Sequence, residues 1–430
     1  MKLKSINCPP LLGSISVPGD KSISHRALML ASLAEGQTLI DGLLMGQDCI
    51  ATLEAMRRMG VKIETQGTGS YLVEGRGLYG LSKPLSEINC GNAGTGMRLL
   101  AGLLAGQKFN TTLIGDGSLS KRPMQRIIEP LRRMGAKIET SKNGTAPLMI
   151  SGVDQLQGIH YQLPMASAQV KSCLLLAGLY AKGRTTIIEP AVTRNHTELM
   201  LQTFGYPIVC EGNTITIEGG HRLIASSITV PGDISSAAFF IVAASIIPGS
   251  DIIIKNVGVN PSRIGILDVL KLMGANISLQ NQRQEGFELV ADIQVRSSQL
   301  HGIEIPEALI PLAIDEFPVI FIAAACAEGK TVLRNAEELR VKESDRLAVM
   351  AEGLRNIGVT CTLFEDGIEI HHSKVKGGQV YSHDDHRISM AFCVAGCVSA
   401  EPITVMGCEN VATSFPGFVT IANTLGFRIC

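Results

Sequence analysis

The sequence predicts an α/β protein of two domains, each made of three copies of one repeating unit. An apolar helix, a short strand and an amphipathic helix stopped by glycine follow one another six times. The terminating glycines recur about every 70 residues, which is longer than common solenoid repeats and enough for a small βαβ-type unit. The tetrapeptide Val-Pro-Gly-Asp occurs at 17–20 and 230–233, each time before an apolar helix. The length of 430 residues fits two domains of roughly 200 residues.

The elements of the repeat follow from periodicity and stop signals. Apolar runs that end at a small residue or glycine predict a first helix in each unit, over 24–36, 95–106, 167–183, 234–249, 315–329 and 386–400. A short run rich in Thr, Ile and Val after each helix predicts a strand, at 38–40, 111–114, 185–188, 251–254, 331–333 and 402–405. The second helices are expected to end at Gly60, Gly135, Gly205, Gly274, Gly358 and Gly426.

The two Val-Pro-Gly-Asp segments predict where the chain passes between the domains. The first domain would then be 20–230, and the second would combine 1–19 with 231–430. No Pro/Gly-rich linker separates the halves, so we expect a hinge of two chain crossings. The starts of the first helices carry polar and charged residues, and they are predicted to converge on a cleft between the domains.

Composition excludes several classes of protein. The formal net charge is −1, which gives no basic field for nucleic acid or anionic membranes. The strongest apolar run, 237–247, is too short to span a bilayer. The 11 cysteines include no C-x-x-C pair, which argues against a zinc site or a disulfide framework. Residues 1–12 resemble neither a secretory signal nor a transit peptide. We therefore expect a soluble, cytoplasmic protein, and the internal hinge symmetry predicts a monomer.

The segment 18–34 carries the first candidate anion site. It reads as a Gly/Asp turn that opens a buried helix, with Lys21, Ser22 and Arg26 on the turn and the first coil. Unpaired backbone N–H groups and the positive end of the helix dipole favour an anion there. The alternative is a capped helix with solvated basic side chains. Repetition of loaded helix starts along the chain favours the anion site.

Other helix starts have similar chemistry. Segment 91–98 is a glycine-rich turn whose backbone can approach an anion closely, and Arg122 lies in a loop before a helix. In 340–347 the charges alternate, so that Lys342, Glu343 and Arg346 would share one face of a helix start. A surface salt-bridge network is the alternative for that segment.

Three motifs are set aside. Segment 75–80 satisfies G-x-G-x-x-G, but no helix opens from it, as a dinucleotide site requires. Segment 324–331 ends in Gly-Lys-Thr with the helix before the glycine, so no helix N-terminus can hold phosphate. Segment 383–386, His-Asp-Asp-His, is interpreted as a helix start with Asp caps, and Arg387 beside it disfavours a metal ion.

Taken together, the motifs resemble those of the 5-enolpyruvylshikimate-3-phosphate synthase family. The matching segments span nearly the whole chain in the family's order: PGDKSISHRAL, GNAGTGMRLL, GDGSLSKRPM, SAQVKS, RVKESDRL and DDHRISMA. The resemblance implies two domains of three βαβαββ-type units each. It also implies transfer of the enolpyruvyl group of phosphoenolpyruvate to the 5-hydroxyl of shikimate 3-phosphate, with release of phosphate, on the route to chorismate and aromatic amino acids.

The resemblance assigns site residues by their position in these motifs. For phosphoenolpyruvate it implies Lys21, Gly94, Arg122, Gln169, Arg346 and Arg387. For shikimate 3-phosphate it implies Lys21, Ser22, Arg26, Ser167, Ala168, Gln169, Arg194, Asp315 and Lys342. Asp315 would accept the hydroxyl proton with Lys21 beside it, and Glu343 would exchange a proton with the methylene carbon. No metal and no organic cofactor is implied.

The chain also departs from some members of the family. Glu338 stands where those members have asparagine, and 412–416 lacks their lysine beside Phe-Pro. Their Ser-x-x-Tyr pair appears here as Thr-Arg-Asn-His at 193–196, where Arg194 would replace the tyrosine contact. These differences resemble the second sequence class of the family.

Two rival functions remain at this stage. The sister enolpyruvyltransferase that acts on UDP-N-acetylglucosamine has the same fold, but its cysteine-bearing acid loop is not evident here. A non-catalytic anion-binding protein would be expected to lack Asp315 or Glu343, and both are present. The response to glyphosate stays open, because Gly94 favours sensitivity and Leu99 stands where sensitive members often have proline.

Overall fold

The computed structural model describes residues 1–430 and alternates short strands with helices along the whole chain. The strands are β1 (Lys2–Ile6), β2 (Leu12–Ser16), β3 (Gln37–Asp41), β4 (Lys62–Gly67), β5 (Ser70–Glu74), β6 (Ile88–Asn89), β7 (Thr111–Ile114), β8 (Lys137–Glu139), β9 (Leu148–Ser151), β10 (Leu156–Gln157), β11 (His160–Gln162), β12 (Ala181–Lys182), β13 (Arg184–Ile188), β14 (Ile208–Glu211), β15 (Thr214–Glu218), β16 (Ile228–Thr229), β17 (Asp251–Gly258), β18 (Asn276–Glu285), β19 (Glu288–Arg296), β20 (Lys330–Leu333), β21 (Cys361–Leu363), β22 (Ile368–His371), β23 (Gly378–Tyr381), β24 (Ile403–Met406) and β25 (Arg428–Ile429).

The α-helices are α1 (Lys21–Leu33), α2 (Gln47–Arg58), α3 (Gly94–Ala105), α4 (Gln125–Arg133), α5 (Ala168–Gly178), α6 (His196–Thr203), α7 (Ile234–Ile246), α8 (Gly265–Leu272), α9 (Ile310–Ala313), α10 (Phe317–Cys326), α11 (Arg346–Asn356), α12 (His386–Gly396), α13 (Val411–Ser414) and α14 (Phe418–Leu425). Short 3-10 helices occupy Leu119–Lys121, Glu307–Leu309 and Glu337–Val341. No helix combines the length and the apolar composition that crossing a bilayer would need.

Six sheets share one strand pattern. In the sheet of the second repeat the strand order is β6-β7-β9-β8. Its first pair of strands is parallel and the other two pairs are antiparallel. The same order recurs in β16-β3-β5-β4, β11-β13-β15-β14, β2-β17-β19-β18 and β23-β24-β1-β25. In the fifth sheet, β20-β22-β21, a single parallel bridge between Glu304 and Val332 takes the place of the first strand. Along the chain, the second unit therefore runs β6-α3-β7-α4-β8-β9, a βαβαββ arrangement.

The chain forms two compact units, one of Gly19–Val230 and one of Met1–Pro18 with Pro231–Cys430. In each unit, sheets are completed by strands remote in sequence. In unit 19–230, β16 near its end pairs with β3 near its start. In the other unit, β1 lies between β24 and β25, and β2 pairs with β17.

The second helices end in the same way in all six repeats. The glycine after each helix has positive φ, as at Gly135 with 95°. There the N–H of Gly135 donates to Arg132 O at 2.9 Å and the N–H of Ala136 donates to Leu131 O at 3.0 Å. This is the Schellman pair of hydrogen bonds, in which glycine adopts the left-handed conformation without strain. The predicted glycine stops are thus confirmed as a structural part of the repeat.

The first helices of the three repeats pack against one another in the core of each unit. In unit 19–230, α3 lies so close to α5 that a Cβ on Gly102 would stand 2.1 Å from the carbonyl oxygen of Cys173. In the other unit, α7, α10 and α12 pack together, and their apolar residues are buried almost throughout. Parallel packing of these helices brings their polar N-terminal turns to one place in each unit.

Candidate active site

Lys21 is the first residue of α1, at a capped helix start. The Asp20 carboxylate accepts a hydrogen bond from the Ile23 N–H at 2.9 Å, so Asp20 is the N-cap of α1. Lys21 Nζ lies 3.1 Å from Oδ2 of Asp48, near the start of α2. The ammonium group is therefore held at the N-terminal turn, where it adds to the positive helix end.

Arg26 lies one turn further along α1 and is buried. Its Nε donates to Thr197 Oγ1 at 2.7 Å and its Nη2 donates to Ser172 Oγ at 2.6 Å. Its Nη1 donates to the carbonyl oxygen of Ser22 at 2.9 Å. These three hydrogen bonds fix the orientation of the guanidinium.

Arg122 lies against the glycine-rich start of α3. Its Nη2 donates to Asn92 Oδ1 at 2.5 Å, and the Asn92 amide in turn donates to Asp116 at 2.7 Å. A Cβ on Gly94 would stand 2.9 Å from Arg122 Nη1. Glycine at this position therefore lets the guanidinium approach the first turn of the helix.

Arg98 joins the same place and was not predicted as a site residue. Its Nη1 donates to Gln169 Oε1 at 2.7 Å, and the Gln169 amide donates to Thr95 Oγ1 at 2.9 Å. A charged residue in an otherwise apolar helix, four positions after Gly94, was the signal available in the sequence. We call Lys21, Arg26, Gly94, Arg98, Arg122 and Gln169 the Lys21 cluster.

The remaining predicted residues of this unit surround α5 and α6. Ser167 caps α5, accepting from the Val170 N–H at 3.4 Å, and Ala168 is the first residue of that helix. Arg194 is half-buried in the turn before α6, three residues before the Thr197 that binds Arg26. The bonds of Gln169 show that it does more than begin a helix, whereas Ser167 is a cap.

His25 lies inside the Lys21 cluster and is uncharged at neutral pH. Burial and the charges of Lys21 and Arg26 lower its pKa to about 3. Its Nδ1 lies 2.7 Å from Thr52 Oγ1, which ties α1 to α2. The cluster thus contains a neutral ring on which the charges of Lys21 and Arg26 act.

In the other unit, Arg346 is the centre of an ionic group. Its Nε lies 2.8 Å from Asp385 Oδ2 and its Nη2 lies 2.7 Å from Glu343 Oε2. Its Nη1 lies 3.5 Å from Asp315 Oδ1. Burial alone would lower the pKa of the guanidinium, but the carboxylates of Asp385, Glu343 and Asp315 outweigh it and raise the pKa above its ordinary value. We call these four residues with Lys342 and Arg387 the Arg346 cluster.

Asp385 explains the His-Asp-Asp-His segment. Its Oδ1 accepts from the Arg387 N–H at 3.0 Å and caps α12, so the interpretation as a helix start is confirmed. The same fully buried carboxylate binds Arg346 and accepts from Ser344 Oγ at 3.2 Å. No group of three or more His, Cys, Asp or Glu side chains is placed to hold a metal ion.

Arg387 extends the cluster towards α7. Its Nη1 donates to the carbonyl oxygen of Asp315 at 3.1 Å and lies 3.6 Å from the buried Glu316 carboxylate. Glu316 accepts from Ser235 Oγ, which accepts from Arg263 Nη2 at 2.8 Å. Ser235 lies at one of the helix starts that were predicted to converge. Arg263 was not predicted, because it lies between β17 and α8, in a segment remote in the chain from the rest of this group.

The predicted common helix face of Lys342, Glu343 and Arg346 is wrong. A 3-10 helix ends at Val341, and α11 begins only at Arg346, because Asp345 caps it through the Ala348 N–H at 3.0 Å. Lys342 and Glu343 lie in the turn between them. Lys342 Nζ nevertheless reaches to within 3.9 Å of Asp315 Oδ1.

The two clusters differ in chemistry. The Lys21 cluster offers ammonium, guanidinium and amide donors at helix starts, which suits phosphate and carboxylate groups. The Arg346 cluster contains three carboxylates, of which Asp385 is fully buried while Asp315 and Glu343 are 17% and 21% exposed. Carboxylates beside cations at the edge of solvent can accept and return protons.

Comparison with known proteins identifies what this arrangement resembles. The family model described as EPSP synthase (3-phosphoshikimate 1-carboxyvinyltransferase) matches residues 7–421. A 3-phosphoshikimate 1-carboxyvinyltransferase of Alkalilimnicola ehrlichii is 60% identical over 420 residues, covering 97% of this chain and 94% of that protein. One from Coxiella burnetii is 54% identical and covers 100% of this chain and 98% of that protein.

Solved structures show the same similarity. EPSP synthase from Acinetobacter baumannii superposes with a TM-score of 0.89 at 51% identity, covering 100% of this chain and 99% of that chain. The enolpyruvyl transferase NikO from Streptomyces tendae has a TM-score of 0.81 at 16% identity, covering 100% of this chain and 98% of that one. The second likeness concerns the fold alone, and together they confirm the predicted fold class.

Proposed function

This chain belongs to the EPSP synthase (3-phosphoshikimate 1-carboxyvinyltransferase) family, and we propose from its two clusters how it performs that reaction. The activity is transfer of the enolpyruvyl group of phosphoenolpyruvate to the 5-hydroxyl of shikimate 3-phosphate. Both substrates are small molecules that carry a phosphate and a carboxylate. The locally concentrated cations of a chain with a net charge of −1 suit such substrates.

We propose that phosphoenolpyruvate is held by guanidinium groups from both clusters. Planar guanidinium groups can bind carboxylate and phosphate through two parallel hydrogen bonds. The residues are Lys21, Gly94, Arg122 and Gln169 of the Lys21 cluster with Arg346 and Arg387 of the Arg346 cluster. Arg98, bonded to Gln169, supports the same group.

Shikimate 3-phosphate is bound mainly through unit 19–230 in this proposal. The residues are Lys21, Ser22, Arg26, Ser167, Ala168, Gln169 and Arg194, together with Asp315 and Lys342. The buried guanidinium of Arg26 supports this assignment, because its bonds to Ser172 and Thr197 fix the orientation of a cationic group at this end of α1.

The proton transfers are assigned to two carboxylates. Asp315 removes the proton of the 5-hydroxyl, with Lys21 beside that hydroxyl, while Glu343 protonates the methylene carbon of phosphoenolpyruvate. The resulting tetrahedral intermediate loses phosphate, which takes up the proton that Asp315 removed from the hydroxyl. Glu343, now ionised, takes a proton from the methyl group to restore the double bond and its own starting state. The cations stabilise the leaving phosphate, so these steps need no metal or organic cofactor.

Both clusters must act on one pair of substrates for this reaction. We therefore propose that the substrates bind in a cleft between domains 20–230 and 1–19 with 231–430, and that ligand-driven closure assembles the site and excludes water. We further propose a monomeric, cytoplasmic enzyme. The observation that carries the assignment of the two proton transfers is the contact of Arg346 with both Asp315 and Glu343.

The test is release of phosphate from phosphoenolpyruvate with and without shikimate 3-phosphate. We expect release only with both substrates, and a fall in kcat of about 100-fold or more for Asp315→Asn, the range of a lost general base. Asp251→Asn is the control, because that carboxylate forms an exposed ion pair with Arg296 in the same unit. Release triggered by UDP-N-acetylglucosamine instead, or none with either acceptor, would overturn the proposal.

A further inference from the structure

A buried ionic group lies behind the residues assigned to shikimate 3-phosphate. Lys171 on α5 is 1% exposed, and its Nζ lies 2.8 Å from Glu189 Oε2 and 2.7 Å from Glu198 Oε1. Both carboxylates are buried as well. We call these three residues the Lys171 triad. None of them is among the residues assigned to either substrate.

The triad contributes little to the stability of the fold for the number of charges that it buries. Burying an ion pair removes both charges from water, and the attraction between them often only balances this loss of hydration. Apolar residues of the same volume would therefore stabilise the protein as well or better. One oxygen of the triad, Glu198 Oε2, is buried without a hydrogen-bond partner. The triad is therefore better explained by the geometry that it imposes on its neighbours than by stability.

On one side the triad is connected to Arg26. Ser172 and Thr197 accept the two hydrogen bonds from Arg26 Nη2 and Nε, and Thr197 also donates to Ser172 at 2.7 Å. Ser172 follows Lys171 on α5, and Thr197 precedes Glu198 on α6. The ion pair between Lys171 and Glu198 thus joins these two helices one residue away from the acceptors of Arg26.

On the other side the triad is connected to Arg194. Lys171 Nζ donates to the carbonyl oxygen of Thr193 at 3.4 Å, and Thr193 Oγ1 donates to Glu189 Oε1. Glu189 is itself held, because its carbonyl oxygen accepts from the Asn213 amide at 2.7 Å. Thr193 is therefore fixed at both its backbone and its hydroxyl, and Arg194 is the next residue.

We propose that the Lys171 triad is a positioning group for shikimate 3-phosphate, which sets Arg26 and Arg194 at once without touching substrate. This inference rests on the proposed function of those two arginines. The triad has none of these connections to Arg122 of the same unit, which is assigned to phosphoenolpyruvate. Loss of the triad is thus expected to weaken the binding of shikimate 3-phosphate and not that of phosphoenolpyruvate.

The experiment compares KM values for the two substrates in the full-length protein. The variant is Lys171→Met with Glu198→Gln, which removes the ion pair between α5 and α6 and leaves Glu189 bonded to Thr193. We expect KM for shikimate 3-phosphate to rise about tenfold, the effect of losing one buried hydrogen-bonded charge contact. KM for phosphoenolpyruvate is expected to change less than about twofold, within the effect of an ordinary surface substitution.

Tyr206→Phe is the matched control. Tyr206 is buried, and the variant deletes the partly buried hydrogen bond from its hydroxyl to the carbonyl oxygen of Glu218, beyond the other end of α6. Both KM values are expected to stay as in the wild type. If the double variant does not fold, Thr193→Val answers the same question, because it removes one hydroxyl bond to the triad and no charge; its KM for shikimate 3-phosphate is expected to rise.

The outcomes separate the two proposals. An inactive wild type would overturn the proposed function, whatever the variants do. An active wild type with an unchanged KM for shikimate 3-phosphate in the folded triad variant would overturn the positioning role alone. Equal increases in both KM values would also overturn it, since they would indicate a general loss of structure.

Discussion

Among single residues, Gly94 of the Lys21 cluster has little room for a side chain. A Cβ there would stand 2.9 Å from Arg122 Nη1 and 3.2 Å from Arg98 Nη1. For Gly94→Ala we expect kcat/KM for phosphoenolpyruvate to fall ten- to about a hundredfold, because a displaced guanidinium misplaces its ligand. Steady-state kinetics with varied phosphoenolpyruvate measures this. Gly117→Ala is the control, since a Cβ there would meet nothing within 4 Å; equal kinetics in both variants would contradict the prediction.

His25 predicts acid sensitivity of the fold. Its pKa in the folded protein is lowered to about 3, while the unfolded chain titrates near its ordinary value of about 6.5. The unfolded state therefore binds more protons between these values, and stability present above pH 6.5 is lost as the pH falls towards 3. The expected slope is about 1.4 kcal/mol per pH unit below pH 6.

Urea unfolding followed by circular dichroism at pH 7, 6 and 5 measures that slope. His25→Asn, which can keep a hydrogen bond to Thr52 without titrating, is expected to give a flatter dependence on pH than the wild type. Parallel lines for the two proteins would show that His25 does not titrate between the folded and unfolded states.

Some residues of the clusters could be predicted and others could not. Lys21, Arg122 and Arg387 stand in motifs next to helix starts, so local sequence placed them at the right ends of helices. Arg263 could not be found in this way, because it joins Glu316 only through Ser235, and the three residues belong to separate elements. Contacts between remote elements depend on packing that no local pattern contains.

At the scale of elements, the glycine after each second helix ends that helix in the same way in every repeat. Gly135 has φ of 95°, and a Cβ there would meet nothing within 4 Å. For Gly135→Ala we therefore expect a loss of about 1–2 kcal/mol, the strain of an L-residue in the left-handed conformation. Urea unfolding measures the change in free energy.

The control for that substitution is Gly67→Ala. Gly67 is exposed, its φ lies outside the left-handed region, and its Cβ would meet only Ser70 Cβ, at 4.0 Å. We expect it to be neutral or slightly stabilising, because alanine narrows the unfolded ensemble. A loss as large as that of Gly135→Ala would show that backbone conformation is not the cause.

The order of helices and strands was readable because each unit repeats the same signals. The strand predicted at 111–114 is β7, and the helix predicted from 234 is α7. The predicted helix over 315–329 begins later, at Phe317, after the separate short helix α9. The break between Val341 and Arg346 was missed because Asp345 acts as a cap inside a segment of helix-forming residues.

For the whole molecule, the cysteines predict a simple pattern of reactivity. Only Cys210 and Cys430 of the 11 are exposed, and burial raises the pKa of the Cys90 thiol to about 12. We expect two thiols to react fast with a thiol reagent in the native protein and all of them after unfolding in denaturant.

Partial burial also raises the pKa of Cys210, so Cys430 is expected to be the faster of the two. Cys210→Ser and Cys430→Ser should each remove one fast thiol without changing the other. Four or more fast thiols in the native wild type would show that the cores open more readily than their packing indicates.

The repeated architecture was predictable at this scale, whereas its closure was not. Six amphipathic helices, each followed by a glycine, predicted six units. Nothing in the two residues of β16 revealed that they pair with β3, about 190 positions earlier in the chain. Pairing of such short strands is decided by which edge the finished sheet leaves open.

The position of β1 between β24 and β25 bears on how the protein is made. Unit 19–230 contains every strand of its own sheets and can fold as soon as it leaves the ribosome. Residues 2–6 must wait for β24 and β25, a delay of roughly 20–80 s at ordinary rates of synthesis. For that interval the first strand is an unpaired edge, and its lysines, Lys2 and Lys4, are the kind of side chain that keeps such an edge from pairing with another chain.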